Sequence, residues 1–233
     1  MGFAQDQLAR IAPLWRTMLD HRFLRQTRDG TIPFETFATW MRQDYLFVEA
    51  AIPFTALLIP KGPREHWEAH SRVIAMLQKE LELFRERAAA VGVDLSGARP
   101  SFTCDAYIRF LMATAYAASY AEAYTVLYAA EKAYHESWKV VKAGLDPSSP
   151  WQPFVENWAG EAFAEYVAYL ESELDWLAEA AGPAERERMA RLFETTVRYE
   201  IAFWEMAATG ESWPGDAAAA ADGAGAAVVA GTM

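Results

Sequence analysis

Residues 163–180 read FAEYVAYLESELDWLAEA, and within them Phe163, Val167, Leu170, Leu174 and Leu177 recur every three or four positions. On a helix of 3.6 residues per turn that spacing gathers the five on one side, while Glu165, Ser172 and Glu179 fall on the other. One face is apolar and one is wet, which is the pattern of a helix laid on a core. Upstream, Ser149-Pro150-Trp151-Gln152 offers a capping hydroxyl, a proline for the first helical position and a glutamine at the third. The spacing therefore predicts a helix over 150–181.

Gly182-Pro183 ends that helix and opens another over 183–209, which carries Leu192, Val197, Ile201 and Trp204 and stops at Gly210. Asp29-Gly30, Pro60-Lys61-Gly62-Pro63, Gly92 to Pro100 and Gly144 to Ser149 cut the remainder into helices near 3–25, 33–58, 64–91, 101–117 and 119–143. Alternating or β-branched runs that would mark strands are almost absent. The expectation is an all-α bundle of about seven helices in one domain over 1–214, since no segment is long and polar enough for a linker and no 30–50-residue repeat occurs. Residues 215–233 are mostly Ala, Gly and Val with no large side chain to bury, and are expected to form a mobile tail.

Composition narrows the function classes. The chain has 233 residues, 53% of them hydrophobic, and its 21 Lys+Arg against 32 Asp+Glu give a formal charge of −11. Such a charge repels phosphate backbones and anionic lipid, so no nucleic-acid or membrane partner is expected, and a small neutral or cationic ligand fits better. One cysteine, Cys104, allows no internal disulfide, and neither a leader segment nor an apolar run of roughly 20 residues is present, which points to a cytoplasmic protein. Nine Trp, ten Tyr and thirteen Phe are enough to line a pocket for a flat ring.

Nucleophile motifs and phosphate-binding glycine loops are missing, so any catalysis falls to carboxylates. Asp44 shares a helical face with Phe37, Trp40, Phe47 and Ala51, where an unpaired carboxylate is costly. A buried salt bridge or interhelical hydrogen bond would satisfy it equally well. Glu200 stands likewise among Val197, Phe203 and Trp204 and should face inward. Glu131 lies one turn before His135, and by spacing alone it reads as a solvent-facing charge paired with that histidine. Tyr107 and Tyr134 could offer ring faces and hydroxyls to a ligand, or be plain core. His66 and His70 are four apart with Glu65 adjacent, but the Glu-x-x-His repeated on two helices of a di-iron bundle occurs nowhere, and a lone His21 is a weak haem signal. No metal or cofactor is expected.

Two blocks carry a family resemblance: His21-Arg22-Phe23-Leu24 with Asp29-Gly30-Thr31, Phe37 and Gln43-Asp44-Tyr45 near one end, and Tyr199-Glu200-x-x-Phe203-Trp204-Glu205-Met206-Ala207 near the other. From about Leu14 to Trp213 the sequence resembles the TenA family of thiaminase II and aminopyrimidine hydrolases. The resemblance implies a haem-oxygenase-like bundle and a homotetramer. It also implies that Asp44 grips an aminopyrimidine, that Glu200 is the acid/base carboxylate, and that Tyr107, Tyr134, Phe47 and Trp158 surround the ring. Thiaminase II members carry a nucleophilic cysteine where this chain reads Ala129-Ala130-Glu131-Lys132-Ala133-Tyr134, with Ala130 or Glu131 at that place. Together with Cys104-Asp105-Ala106-Tyr107, this resembles the TenA-E branch, which lacks the cysteine and features a glutamate. A carboxylate is a far weaker nucleophile than a thiolate, so thiamine cleavage should be poor. The implied activity is salvage of thiamine-breakdown pyrimidines by deformylation, by replacement of the aminomethyl amine with hydroxyl, or both. A catalytically silent pyrimidine-binding protein and a metal-dependent oxygenase on the same fold are the competing readings.

Overall fold

The computed structural model describes residues 2–216, so the expected tail, but for its first two residues, lies outside the described residues. Ten helices and no strand are found among them: α1 Phe3–Arg10, α2 Ala12–Leu19, α3 Arg22–Arg28, α4 Phe34–Leu58, α5 Arg64–Val91, α6 Phe102–Ala117, α7 Tyr120–Lys142, α8 Gln152–Ala159, α9 Glu161–Ala180 and α10 Pro183–Thr209. The fold is all-α, as the periodicity requires. None of these helices is long and apolar enough to cross a membrane.

Three breaks raise the count above seven. The expected 3–25 helix is interrupted at Ile11 and again before His21, which becomes the cap of α3 as its Nδ1 accepts from the Phe23 amide at 3.2 Å. The expected 150–181 helix is split at Gly160, whose extended backbone (φ −78°, ψ 166°) redirects the chain. A Cβ there would come within 2.4 Å of the Glu156 carbonyl oxygen, so glycine permits the close approach of α8 and α9. Ser149 does not cap a helix at Pro150. Its hydroxyl accepts from the Trp151 amide at 3.3 Å, and α8 starts at Gln152 with Pro153 in its first turn.

Elsewhere the punctuation acts as the sequence implies. Ser119 and Glu122 form a reciprocal capping box at the start of α7, and Ser101 caps α6. Gly92 and Gly210 take left-handed conformations (φ 76° and 66°) that close α5 and α10. Helix α7 runs through the middle, packed by α3, α8, α9 and α10, while α4 packs against α5, α6 and α10. A cluster of stacked and edge-on aromatics including Phe23, Phe37, Trp40, Trp138, Phe154 and Trp204 fills one part of the core. The carboxylates described next lie on the inward faces of α4, α5, α7 and α10.

Candidate functional site

A cavity open to water-sized molecules over about 60 Å³ lies between these helices. Asp44 from α4, Glu80 from α5, Glu131 from α7 and Glu200 from α10 line it, together with the aromatic side chains Phe47, Phe54, Tyr134 and Trp158 and aliphatic groups such as Leu77, Leu111 and Val126. No Lys or Arg is among the lining residues. Four acidic groups therefore share one largely apolar space without a compensating cation.

Each of the two most buried carboxyls is held at one oxygen and left free at the other. Asp44, 1% exposed, takes a short hydrogen bond at Oδ1 from the Tyr134 hydroxyl, which itself accepts from Trp40 Nε1 at 3.2 Å. Glu200, also 1% exposed, accepts at Oε1 from the Tyr107 hydroxyl at 2.6 Å. Asp44 Oδ2 and Glu200 Oε2 are buried and have no partner. An orphaned buried carboxyl oxygen is costly, and both belong to groups that line the cavity.

Burial also sets the protonation of the group. It pushes Glu200 up to about 8, with the charges of Asp44 and Glu131 adding to the rise and the Tyr107 bond opposing it. Glu131 is pushed to about 8 by burial and then by the charges of Glu80 and Asp44, against a 3.3 Å hydrogen bond from Tyr166. Burial raises Glu80 to about 7, opposed by the Asn157 side-chain amide donating to its Oε1 at 3.1 Å and by a hydrogen bond from the Trp158 side chain. Asp44 is raised well above the usual carboxylate range by burial, with the Tyr134 bond opposing and Glu80 adding. Carboxyls that hold protons near neutrality can donate as well as accept, which is what acid/base chemistry requires.

The structure brings Asp44, Phe47, Glu131, Tyr134, Trp158 and Glu200 to this one cavity. Tyr107 is not among the lining residues: it stands behind Glu200, its ring stacked on Tyr199 at 4.8 Å and close to Phe47 at 4.6 Å. Glu131 is not a surface partner of His135. It turns inward, while His135 Nδ1 bonds the Trp158 carbonyl oxygen at 2.8 Å, at the frayed end of α8 where carbonyls lack helical partners. Nor is Asp44 part of a salt bridge. Ala130 lines the cavity beside Glu131, so either residue stands where a nucleophile at this place would face the ligand. Cys104 is buried away from the cavity lining, with Sγ 3.5 Å from the Gln43 carbonyl oxygen, and burial drives its pKa far up.

The histidines are engaged elsewhere. The Tyr120 hydroxyl lies 2.7 Å from both His66 Nδ1 and His70 Nε2, and His66 Nε2 is 2.7 Å from Glu173. His21 Nε2 meets Glu205 at 3.0 Å. No group of three or more His, Cys, Asp or Glu side chains among the described residues is placed to hold a metal ion. Glu80 is the lining carboxyl that sequence reasoning missed. The signal was available, because Glu80 interrupts the buried stripe Val73, Leu77, Leu81 and Phe84 as Asp44 and Glu200 interrupt theirs.

Comparison with known proteins agrees with this architecture. A soybean protein named "Probable bifunctional TENA-E protein" is 27% identical over 213 residues, covering 88% of this chain and 93% of that one. An "Aminopyrimidine aminohydrolase" of Halalkalibacterium halodurans is 27% identical over 222 residues, covering 91% and 98%. The crystal structure of a TenA homologue from Pyrococcus furiosus superimposes with a TM-score of 0.85 at 36% identity, covering 88% of this chain and 99% of that one. A Shewanella denitrificans domain described as having a heme oxygenase-like fold superimposes at 0.72 with 15% identity over 89% and 92%, a likeness of fold alone. The family model itself aligns with residues 8–210, a span that contains all four cavity carboxyls, and the chain belongs to the TENA/THI-4/PQQC family.

Proposed function

We propose that the protein hydrolyses aminopyrimidines that arise from thiamine breakdown, removing an N-formyl group, replacing the aminomethyl amine with hydroxyl, or both. The observation that carries this reading is the pair of buried carboxyls, Asp44 and Glu200, each tethered by a tyrosine at one oxygen and free at the other within a cavity that holds no nucleophilic sulfur. Asp44 takes the ring. Its carbonyl oxygen accepts from the exocyclic amine, and the proton favoured by its raised pKa answers the adjacent ring nitrogen, which can only accept. Phe47, Tyr134 and Trp158 pack around the ring.

Glu131 and Glu200 then flank the reacting carbon. In deformylation, water adds to the formyl carbon as Glu131 takes its proton, the C–N bond breaks, and Glu200 protonates the departing amine, giving formate. In the second reaction the amine, protonated in solution or by Glu200, leaves as ammonia as the C–N bond breaks, while water oxygen bonds to the exocyclic methylene carbon and gives its proton to Glu131. A protonated amine entering this space favours ionisation of the nearest carboxyl, so substrate itself helps generate the base. Proton transfer by positioned carboxyls contributes typically about 10²–10⁴-fold.

The test is incubation with the aminomethylpyrimidine in ¹⁸O-labelled water. Ammonia release with label in the hydroxymethyl product, or formate release from the N-formyl derivative, is expected. Binding of both compounds with no turnover of either would make the protein a pyrimidine-binding member instead.

A further inference from the structure

Glu80 has no place in the chemistry above, yet it lines the same cavity and is only 7% exposed. Its neighbours on the inward face of α5 are Leu77, Leu81 and Phe84, so packing alone would be served by another apolar side chain. Asn157 of α8 fixes its carboxyl by donating to Oε1. Helix α4 packs against both α5 and α10, while α5 and α10 pack little on each other, so Glu80 and Glu200 reach the cavity from separate sides. The electrostatics repeat that separation: Asp44 and Glu131 respond to the charge of Glu80, whereas Glu200 responds to Asp44 and Glu131.

A pyrimidine has two ring nitrogens, and Asp44 with the exocyclic amine accounts for one. The other, on the far side of the ring from that amine, is an acceptor that needs a donor once water is excluded. We propose that Glu80 is a specificity-determining residue that donates a hydrogen bond to this second ring nitrogen, at the end of the cavity remote from Glu200. The inference rests on the aminopyrimidine reading above. Held near 7 by burial, the Glu80 carboxyl keeps a proton to donate around neutral pH, and the Asn157 amide and the Trp158 indole, both N–H donors to this carboxyl, do not compete for that proton. The residue thereby selects a ring with an acceptor at that position over one with a carbon.

The probe is a pair of ligands: the aminomethylpyrimidine and its pyridine analogue, in which the second ring nitrogen is replaced by C–H. Dissociation constants are measured for both on wild type, Glu80→Gln and Glu80→Leu, so each variant serves as its own control for folding. Wild type should prefer the pyrimidine by about tenfold or more, Glu80→Gln should keep most of that preference through its amide N–H, and Glu80→Leu should bind the two ligands nearly equally. A preference that survives intact in Glu80→Leu, or that is absent from wild type, overturns the role of Glu80 while leaving the aminopyrimidine reading standing. Wild type that binds neither ligand overturns the aminopyrimidine reading and this inference with it.

Discussion

The Tyr107 hydroxyl donates to Glu200 Oε1 at 2.6 Å and leaves Glu200 Oε2 buried without a partner. Tyrosine thus acts here as a tether rather than as a wall of the cavity. Because the bond favours the ionised carboxylate, Tyr107→Phe should raise the pKa of Glu200 and move the corresponding limb of the pH–rate profile to higher pH. Glu200→Gln keeps the shape but removes the proton, and should lower kcat by at least about 10²-fold with a smaller effect on KM. Steady-state kinetics across pH 5–9 on both variants checks this, and a Glu200→Gln enzyme with near wild-type kcat would remove Glu200 from the proton-transfer role.

Asp44 is expected to carry much of the ring binding. Asp44→Ala removes both the donor to the ring nitrogen and the acceptor for the exocyclic amine, so affinity for the aminomethylpyrimidine should fall by roughly 1.5–3 kcal/mol, about one to two decades. Calorimetric titration measures it directly, and unchanged affinity would contradict the assignment.

Cys104 should be dispensable. Its thiol is buried outside the cavity lining and burial disfavours the thiolate, so Cys104→Ala should retain hydrolysis while losing about 1 kcal/mol of stability from lost packing. Inactivation of wild type by a thiol-alkylating reagent, absent in Cys104→Ala, would restore a cysteine mechanism.

Stability should depend on pH in a particular sense. Glu131 and Glu200 near 8 and Glu80 near 7 hold protons in the folded protein that an unfolded chain releases at about 4.5. Between those limits the folded state binds more protons, and stability falls as pH rises. His70 acts oppositely, because its pKa is lowered to about 4 by burial and by His66, and its contribution is lost as pH falls below about 6.5. Above 6.5 only the carboxyls remain, so the thermal midpoint of the ligand-free protein should drop between pH 6.5 and 8, and Glu131→Gln should flatten that drop. A midpoint that climbs over this interval would contradict the buried, proton-holding cluster.

Much of the fold was legible because its punctuation is local. Gly182-Pro183, Gly210, the Ser119 capping box and Gly92 each act within a few residues, and helices α4 to α7 and α10 fall within about two residues of their expected limits. The breaks at Ile11, His21 and Gly160 were not legible, since the apolar periodicity runs through them and the close approach that requires Gly160 is set by how α8 turns into α9. Asp44 and Glu200 declared themselves by interrupting apolar stripes. Glu131 shares a helical face with Leu127, Ala130 and Tyr134, all of which line the cavity, but the neighbouring His135 offered it a surface partner, and that histidine instead bonds the Trp158 carbonyl oxygen 23 positions away. The retreat of Tyr107 behind Glu200 is likewise a matter of which side chain reaches the cavity first.

A carboxyl cluster without a thiol should hydrolyse breakdown pyrimidines in preference to thiamine, and this preference sets the substrate range. It is tested most directly by measuring kcat/KM of wild type and Glu131→Ala for the N-formyl aminomethylpyrimidine, the aminomethylpyrimidine and thiamine. Wild type should turn over at least one of the first two by orders of magnitude better than thiamine, and Glu131→Ala should lose that activity with its thermal midpoint little changed. Robust thiamine cleavage by wild type, or hydrolysis indifferent to loss of Glu131, would contradict the account.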